Sequence, residues 1–292
     1  MVRATSRIGE IHMENTNGKT FIITGVSSGF GRAFAQSALD AGHTVIGTVR
    51  NGDALKEFEA IKPRSAHGVV LDVTAFDRIG PVVEEVMRTY GPIDVLVNNA
   101  GYGHEGTLEE SPLEEMRRQF DVNVFGAVAM IKAVLPSMRE RRAGHIINIT
   151  SMGGFITMPG IAYYCGSKFA LEGISETLAK EVKDFNVRVT AVAPGSFRTD
   201  WAGRSMVRTE RSIADYDALF DPIRAAREAK SGKQLGDPAK AGQALLSLIE
   251  AHDAPAHLLL GSDAISLVKT KLVALNEEID KWEHLSRSTD FS

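Results

Sequence analysis

The chain predicts an α/β fold, a doubly wound parallel sheet of about seven strands with helices on both faces. Three observations predict it. Short β-branched runs alternate with helix-period segments along the whole length. Strand interiors such as Val95-Leu96-Val97 and His145-Ile146-Ile147-Asn148-Ile149 read as covered on both sides, which parallel strands between helices are. A glycine-rich turn joins the first strand directly to a helix-period segment.

Taken in order, strands are expected at Phe21–Thr24, Thr44–Val49, Gly68–Leu71, Ile93–Val97, His145–Ile149, Val187–Val192 and His257–Leu260. Helix-period segments between them include Gly31–Ala41, Phe76–Tyr90, Leu113–Arg142 and Tyr164–Phe185. Residues 1–18 are polar, lack the apolar middle of a secretory signal and read as a loose leader, with Met13 as an alternative start. No low-complexity linker or repeat divides the rest of the chain, so residues 19–292 read as one domain. Residues 196–233 are rich in charge and lack a clean strand, and read as a helical flap beside the site. After the last strand, Ser262–Leu285 continues as a helical pattern carrying Trp282.

Bulk chemistry narrows the function. With 43% hydrophobic and 24% charged residues the chain can bury a full core. A net charge of -4 gives no electrostatic reason to expect nucleic acid or an anionic membrane. No apolar run approaches the roughly 20 residues that span a bilayer. A single cysteine, Cys165, excludes an intramolecular disulfide and fits a reducing, cytoplasmic home. The eight histidines are scattered without a metal-ligand spacing.

The first strand runs into Thr24-Gly25-Val26-Ser27-Ser28-Gly29-Phe30-Gly31 and then an amphipathic helix. Glycines here allow a tight turn and close approach of a pyrophosphate, and the helix N-terminus supplies free N–H groups and the positive end of its dipole. The strand before and the helix after are the context this reading requires. The same residues also spell G-x-S-x-G around Ser27, a nucleophile elbow, but that reading needs an upstream oxyanion loop and earlier strands.

Other motifs come in order: Asn98-Asn99-Ala100-Gly101 after the fourth strand, Ser151 thirteen residues before Tyr164, Tyr164-x-x-x-Lys168, and Pro194-Gly195 with Thr199 after the sixth strand. Together they make the chain, from Lys19 onward, resemble the short-chain dehydrogenase/reductase family in its single-domain, Rossmann-like branch. The resemblance implies an oxidoreductase that interconverts a ketone or aldehyde and an alcohol, with a nicotinamide held by Gly25, Ser27, Ser28, Gly29, Phe30, Gly31, Asn99, Ala100, Gly101, Tyr164, Lys168, Pro194, Gly195 and Thr199.

A carboxylate closing the second strand would bind the adenosine ribose and repel a 2′-phosphate. That position is Val49, followed by Arg50, whose guanidinium can pair with a phosphate. NADP(H) is therefore favoured over NAD(H). Asp72 matches the family's adenine-contacting aspartate or, alternatively, is a simple helix N-cap.

Reduction of a carbonyl needs a proton donor, and a free phenol titrates near roughly 10. Lys168 shares a helical face with Tyr164, and a nearby cation favours the phenolate. Ser151 would polarise the substrate oxygen. The resemblance adds a ribose contact for Lys168 and, for Asn123 in Asp-Val-Asn-Val-Phe-Gly, a helix kink and a proton relay. The alternative for Asn123 is a buried amide satisfied by local backbone. Cys165 reads as packing, and Tyr163 fails the spacing to Lys168.

Substrate walls are expected from Tyr102 and His104, from Met152, Phe155, Met158 and Ile161, and from Phe197, Trp201 and Met206. Such a lining suits an apolar, steroid-, retinoid- or xenobiotic-like carbonyl; the alternative is that these residues pack the flap onto the sheet. A homodimer through Leu113–Arg142 and Tyr164–Phe185 is expected, and the added C-terminal helix sets the family's tetramer in doubt. Two other readings are a nicotinamide-binding sensor without turnover and an epimerase or dehydratase.

Overall fold

A computed structural model of the protein describes residues 18–291; the first seventeen residues of the expected leader lie outside them. The chain begins β1 (Thr20–Ile23), α1 (Gly29–Asp40), β2 (Thr44–Val49), α2 (Gly52–Glu59), β3 (Ala66–Val70), α3 (Phe76–Tyr90) and β4 (Val95–Asn98). It continues through a short β5 (Gly103–Glu105), α4 (Leu113–Phe120), a π-helical turn (Asp121–Gly126) and α5 (Ala127–Arg141) to β6 (Gly144–Ile149). Then come α6 (Ala162–Val182), β7 (Val187–Pro194), β8 (Met206–Arg208), α7 (Asp217–Ala229), α8 (Pro238–Glu250), β9 (His257–Leu260) and α9 (Ser262–Arg287).

Seven strands form one parallel sheet in the order β3-β2-β1-β4-β6-β7-β9. Strand alternation sends Phe21 and Ile23 to one face and Ile22 to the other. The first face is covered by Phe34, Leu39, Phe58, Leu245 and Leu248 from α1, α2 and α8. The second is covered by Ile79, Val83, Met130, Val134, Met138 and Leu178 from α3, α5 and α6. Each such fully buried side chain contributes roughly 1.5–3 kcal/mol, so both layers are needed to hold the sheet.

Chain order reverses between β1 and β4, which opens a crevice outside the carboxyl ends of those strands. The glycine turn after β1 and the Asn99–Gly101 loop after β4 flank that crevice.

Three departures from the sequence reading have local causes. The expected helix Leu113–Arg142 is interrupted at Asp121–Gly126, where an extra residue per turn widens the helix and Gly126 lies against Val73. The whole run Leu113–Arg141 is long and apolar enough to cross a bilayer by length and composition, unlike the expectation that no such run exists. Its apolar side, Met130, Ile131, Val134 and Met138, is spent on the sheet, as in a core helix. Finally, the flap does contain a strand: β8 pairs in parallel with β5, Gly103 opposite Met206 and Glu105 opposite Arg208. Three residues carry no readable periodicity, and their pairing partner lies far away in sequence.

Candidate active site

The glycine turn is held by its neighbours rather than by itself. Asn99 donates its side-chain amide to the carbonyls of Thr24 and Gly25 at 2.9 and 3.1 Å. The Thr24 hydroxyl accepts from the backbone N–H of Asn99 and of Ala100 at 3.0 and 2.9 Å. The Gly25 N–H bonds the Thr48 carbonyl at the end of β2. Gly25 has φ +73, and a Cβ on Gly31 would stand 2.2 Å from the Gly25 carbonyl oxygen and 2.4 Å from Asn99 Nδ2. Asn99, expected at the cofactor, spends its amide on the turn.

Ser28 is the N-cap of α1 and makes no side-chain cap, and no side chain among the described residues bonds the free N–H groups of the first turn. Ser27 is exposed, and the Phe30 ring packs on Phe34 and Phe197 at centroid distances of 5.4 and 5.0 Å. This uncapped 12-residue helix, aimed into the crevice, fits the diphosphate of a dinucleotide. Arg50 is exposed directly after the buried Val49 and has no side-chain partner among the described residues. Asp72 is not a helix cap; Ala75 is. The Asp72 carboxylate closes a turn onto the N–H and hydroxyl of Thr74 through Oδ1, leaving Oδ2 free on an exposed residue.

Across the crevice, Pro194 ends β7 opposite Leu260, and the Gly195 N–H bonds the Leu260 carbonyl. Asp263, in the first turn of α9, accepts the Ser196 N–H at 2.8 Å. The Thr199 side chain lies over Gly29, 3.7 Å from where a Cβ there would sit. The Pro194–Thr199 segment thus closes the second wall of the cradle.

Tyr164 and Lys168 rise from α6, and Ser151 follows β6. The Ser151 hydroxyl hydrogen-bonds the Tyr164 phenol and accepts the Gly153 N–H at 3.0 Å. Burial pushes the phenol up to about 12, against the pull of the Ser151 bond. Lys168 Nζ lies 5.7 Å from the Tyr164 ring centroid and donates to the Ile149 carbonyl at 2.9 Å. Burial pushes this ammonium down to about 8, while the Glu172 carboxylate one turn on pulls it back up. Tyr164 is thus a neutral acid at pH 7, beside a lysine poised close to its own titration.

Asn123 sits in the π-turn and is buried. It accepts the Tyr102 N–H through Oδ1 at 3.1 Å, and donates to the Tyr102 carbonyl and to Ser167 Oγ, both at 3.1 Å. The Ser167 hydroxyl in turn bonds the Tyr164 carbonyl. Asn123 therefore ties the loop containing Gly101 and Tyr102 to the helix that carries Tyr164, and the backbone of Tyr102, distant in sequence, satisfies most of its amide.

The expected walls divide. Trp201 stacks at a tilt on Tyr164, centroids 5.0 Å apart, and Met158, Ile161 and buried Cys165 join that cluster. Phe155 packs edge-on to His257, and Met152 begins the short turn after Ser151. His104, expected in the substrate wall, is buried, stacked on Tyr163 and bonded to the Thr209 hydroxyl of the flap. Phe197 is turned to Phe30 and Gly236, so it seats the base of the flap on α1. The Tyr102 phenol is pushed up to about 12 by burial and by Glu115, which places it beside α4. Met206 packs over Gly103 in the small sheet. For His104 and Phe197 the packing alternative holds.

Sequence reading missed the groups that fasten the flap. Glu105, fully buried, pairs with Arg208, Arg224 and Arg227. Glu110 accepts the N–H groups of Ser212 and Ile213 and pairs with Arg211. Those backbone bonds, the Thr107 hydroxyl and Arg211 hold its carboxyl down at about 2. Glu172 was missed too; burial pushes its carboxyl up, and it bonds Thr150 and, at 2.7 Å, His257 Nδ1. Its spacing of four from Lys168 was the available signal.

A family profile described as short chain dehydrogenase matches residues 19–209, from β1 through the strand of the flap. The chain belongs to the short-chain dehydrogenase family. It is 34% identical to an oxidoreductase of Botryotinia fuckeliana over 92% of this chain and 98% of that protein. It is 38% identical to a 3-ketodihydrosphingosine reductase of Bacteroides thetaiotaomicron over 82% of this chain and 87% of that one. The crystal structure of a short-chain dehydrogenase from Streptomyces avermitilis superposes with a TM-score of 0.88 at 40% identity, covering 95% of this chain and all of that one. Membership in this family of oxidoreductases removes the hydrolase reading of Ser27.

Proposed function

We propose that this short-chain dehydrogenase is an NADP(H)-linked carbonyl reductase, running in reverse as an alcohol dehydrogenase, on an apolar ketone or aldehyde. The observation that carries the reading is the buried Tyr164 phenol, bonded to Ser151 and one helical turn from Lys168.

The nicotinamide, when bound, supplies or removes the hydride at the carbonyl carbon. The remaining work belongs to the chain. Ser151 donates its hydroxyl proton toward the substrate oxygen, where negative charge grows. Tyr164 gives that oxygen its proton, and in the reverse direction takes it back. Lys168 favours the phenolate electrostatically; with Ile149 as its one acceptor among the described residues, it keeps two ammonium protons for a ribose. The N–H groups opening α1 hold the diphosphate, and Arg50 takes the 2′-phosphate. Trp201, Met158, Ile161 and Phe155 exclude water and grip an apolar body. The 3-keto group in the name of the Bacteroides relative supports a ketone substrate.

The test is Tyr164→Phe, assayed by NADPH absorbance on bulky apolar ketones. Turnover is expected to fall by at least about a hundredfold, in line with general acid catalysis, with cofactor affinity nearly unchanged. A variant that keeps most of its activity refutes the assignment. One observation favours the sensor: Trp201 lies over Tyr164, leaving it 7% exposed. A wild-type protein that binds NADPH yet reduces no carbonyl across a broad panel would decide for it.

A further inference from the structure

Helix α9 is 26 residues long, yet only Ala264 and Val268, in its first two turns, are buried. Every described residue from Lys269 onward is exposed. At 1.5 Å per residue the free part of the helix extends about 28 Å.

The free part is not polar. The stripe that buries Ala264 and Val268 continues through Leu272, Leu275, Ile279 and Trp282, at spacings of three and four. These four are 55%, 40%, 58% and 53% exposed, a seam of coiled-coil type with no described residue of its own chain beneath it. Flanking charge is split along the helix. Lys269 and Lys271 stand near its base, Glu277 and Glu278 midway along the free part, and Asp280 and Glu283 toward its tip, beside Lys281 and Arg287.

We propose that α9 is an assembly arm that pairs antiparallel with α9 of a second copy of this chain. Charge decides the occupant and the direction. Antiparallel pairing sets the basic base of each arm against the acidic tip of the other and leaves acid facing acid only at the midpoint, whereas parallel pairing puts every charge against its own copy. The body of the protein decides the register, because the partner's tip cannot pass the turn at Val268, which already packs on its own subunit. Leu275 then meets Ile279 of the partner subunit, and Leu272 meets Trp282 of the partner subunit. Lys269 comes beside Glu283 of the partner subunit, twice by symmetry. Glu283 is bound within its own helix only through Oε1, to Arg287. An anionic membrane is the poorer occupant, since the acidic tip opposes it and the polar side is not rich in lysine and arginine. The proposal is independent of the catalytic reading, and it uses a surface apart from the long-helix face expected from the sequence.

Sedimentation equilibrium of the full chain at micromolar concentrations tests it. Leu275→Glu with Ile279→Glu lies wholly in the exposed arm and is expected to halve the mass of the assembly, in protein that still binds NADPH. Lys269→Glu and Glu283→Lys each weaken association about tenfold, from two pairs per dimer, and the double variant restores it. Equal masses for wild type and the Leu275/Ile279 variant overturn the proposal. Failure of the double charge swap to restore association overturns the antiparallel register. Wild-type protein that floats with phosphatidylcholine–phosphatidylserine vesicles through the same residues without self-associating assigns the seam to lipid, and overturns it as well.

Discussion

Replacing Arg50 with alanine is expected to weaken NADPH binding about ten- to thirtyfold at low ionic strength and to leave NADH within about a factor of two. The magnitude derives from the position of the side chain. Arg50 follows buried Val49 at the carboxyl end of β2, is itself exposed, and has no ion pair among the described residues to break before meeting a phosphate. A hydrogen bond to a charged partner contributes roughly 1.5–3 kcal/mol, and exposure to solvent holds this one near the lower end. About 1.4–2 kcal/mol is about ten- to thirtyfold in a dissociation constant. The same exposure makes the effect sensitive to salt. At about 0.5 M salt, where charges are screened beyond roughly 4 Å, the wild-type advantage for NADPH shrinks severalfold. Isothermal titration of wild type and Arg50→Ala with each nucleotide, at low and high salt, reads all eight dissociation constants. Equal losses for NADH and NADPH would show that Arg50 shapes the loop without touching a 2′-phosphate, and no loss for either would remove it from the site.

Two further outcomes concern the flap. Glu110 titrates in the folded chain at about 2, well below its ordinary value of 4.5, so its stabilisation is complete above about pH 5 and is lost as pH falls from about 4.5 toward 2. Trp201 emission, read in a Trp282→Phe background, should shift to the red across that window and already be shifted at neutral pH in Glu110→Gln; identical titrations in both proteins would exclude Glu110 as the fastener. Trp201→Ala uncovers Tyr164, so kcat/KM for a bulky ketone relative to a compact one is expected to rise roughly tenfold, and an unchanged ratio would mean that the indole is not the barrier.

The parts of this fold legible in the sequence are those in which neighbours along the chain are also neighbours in function. β4 and β6 are buried on both faces, so their apolar runs announce them. Tyr164 and Lys168 lie one helical turn apart, so four residues of spacing put them on one face. The flap obeys other rules. Glu105 meets arginines more than a hundred residues away, and no local pattern encodes such a pairing. His104 and Phe197 are aromatic groups near the site in sequence, but β5 and the flap hinge turn both away from it. The π-turn at Asn123 leaves the apolar period nearly intact, so only the bonds to Tyr102 and Ser167 show why the helix widens there.

Asp263 adds a side-chain tie between the projecting helix and the wall of the crevice. It stands in the first turn of the projecting helix, and its carboxylate grips the N–H of Ser196 in the wall of the cofactor crevice. One hydrogen bond therefore gives the arm a lever on the catalytic crevice. Thermodynamic reciprocity then applies: a ligand that draws the Pro194–Thr199 segment inward through this bond changes self-association by the same factor by which self-association changes the affinity for that ligand. If α9 pairs as proposed, protein concentration becomes an effector of the site, and occupancy of the site becomes an effector of assembly.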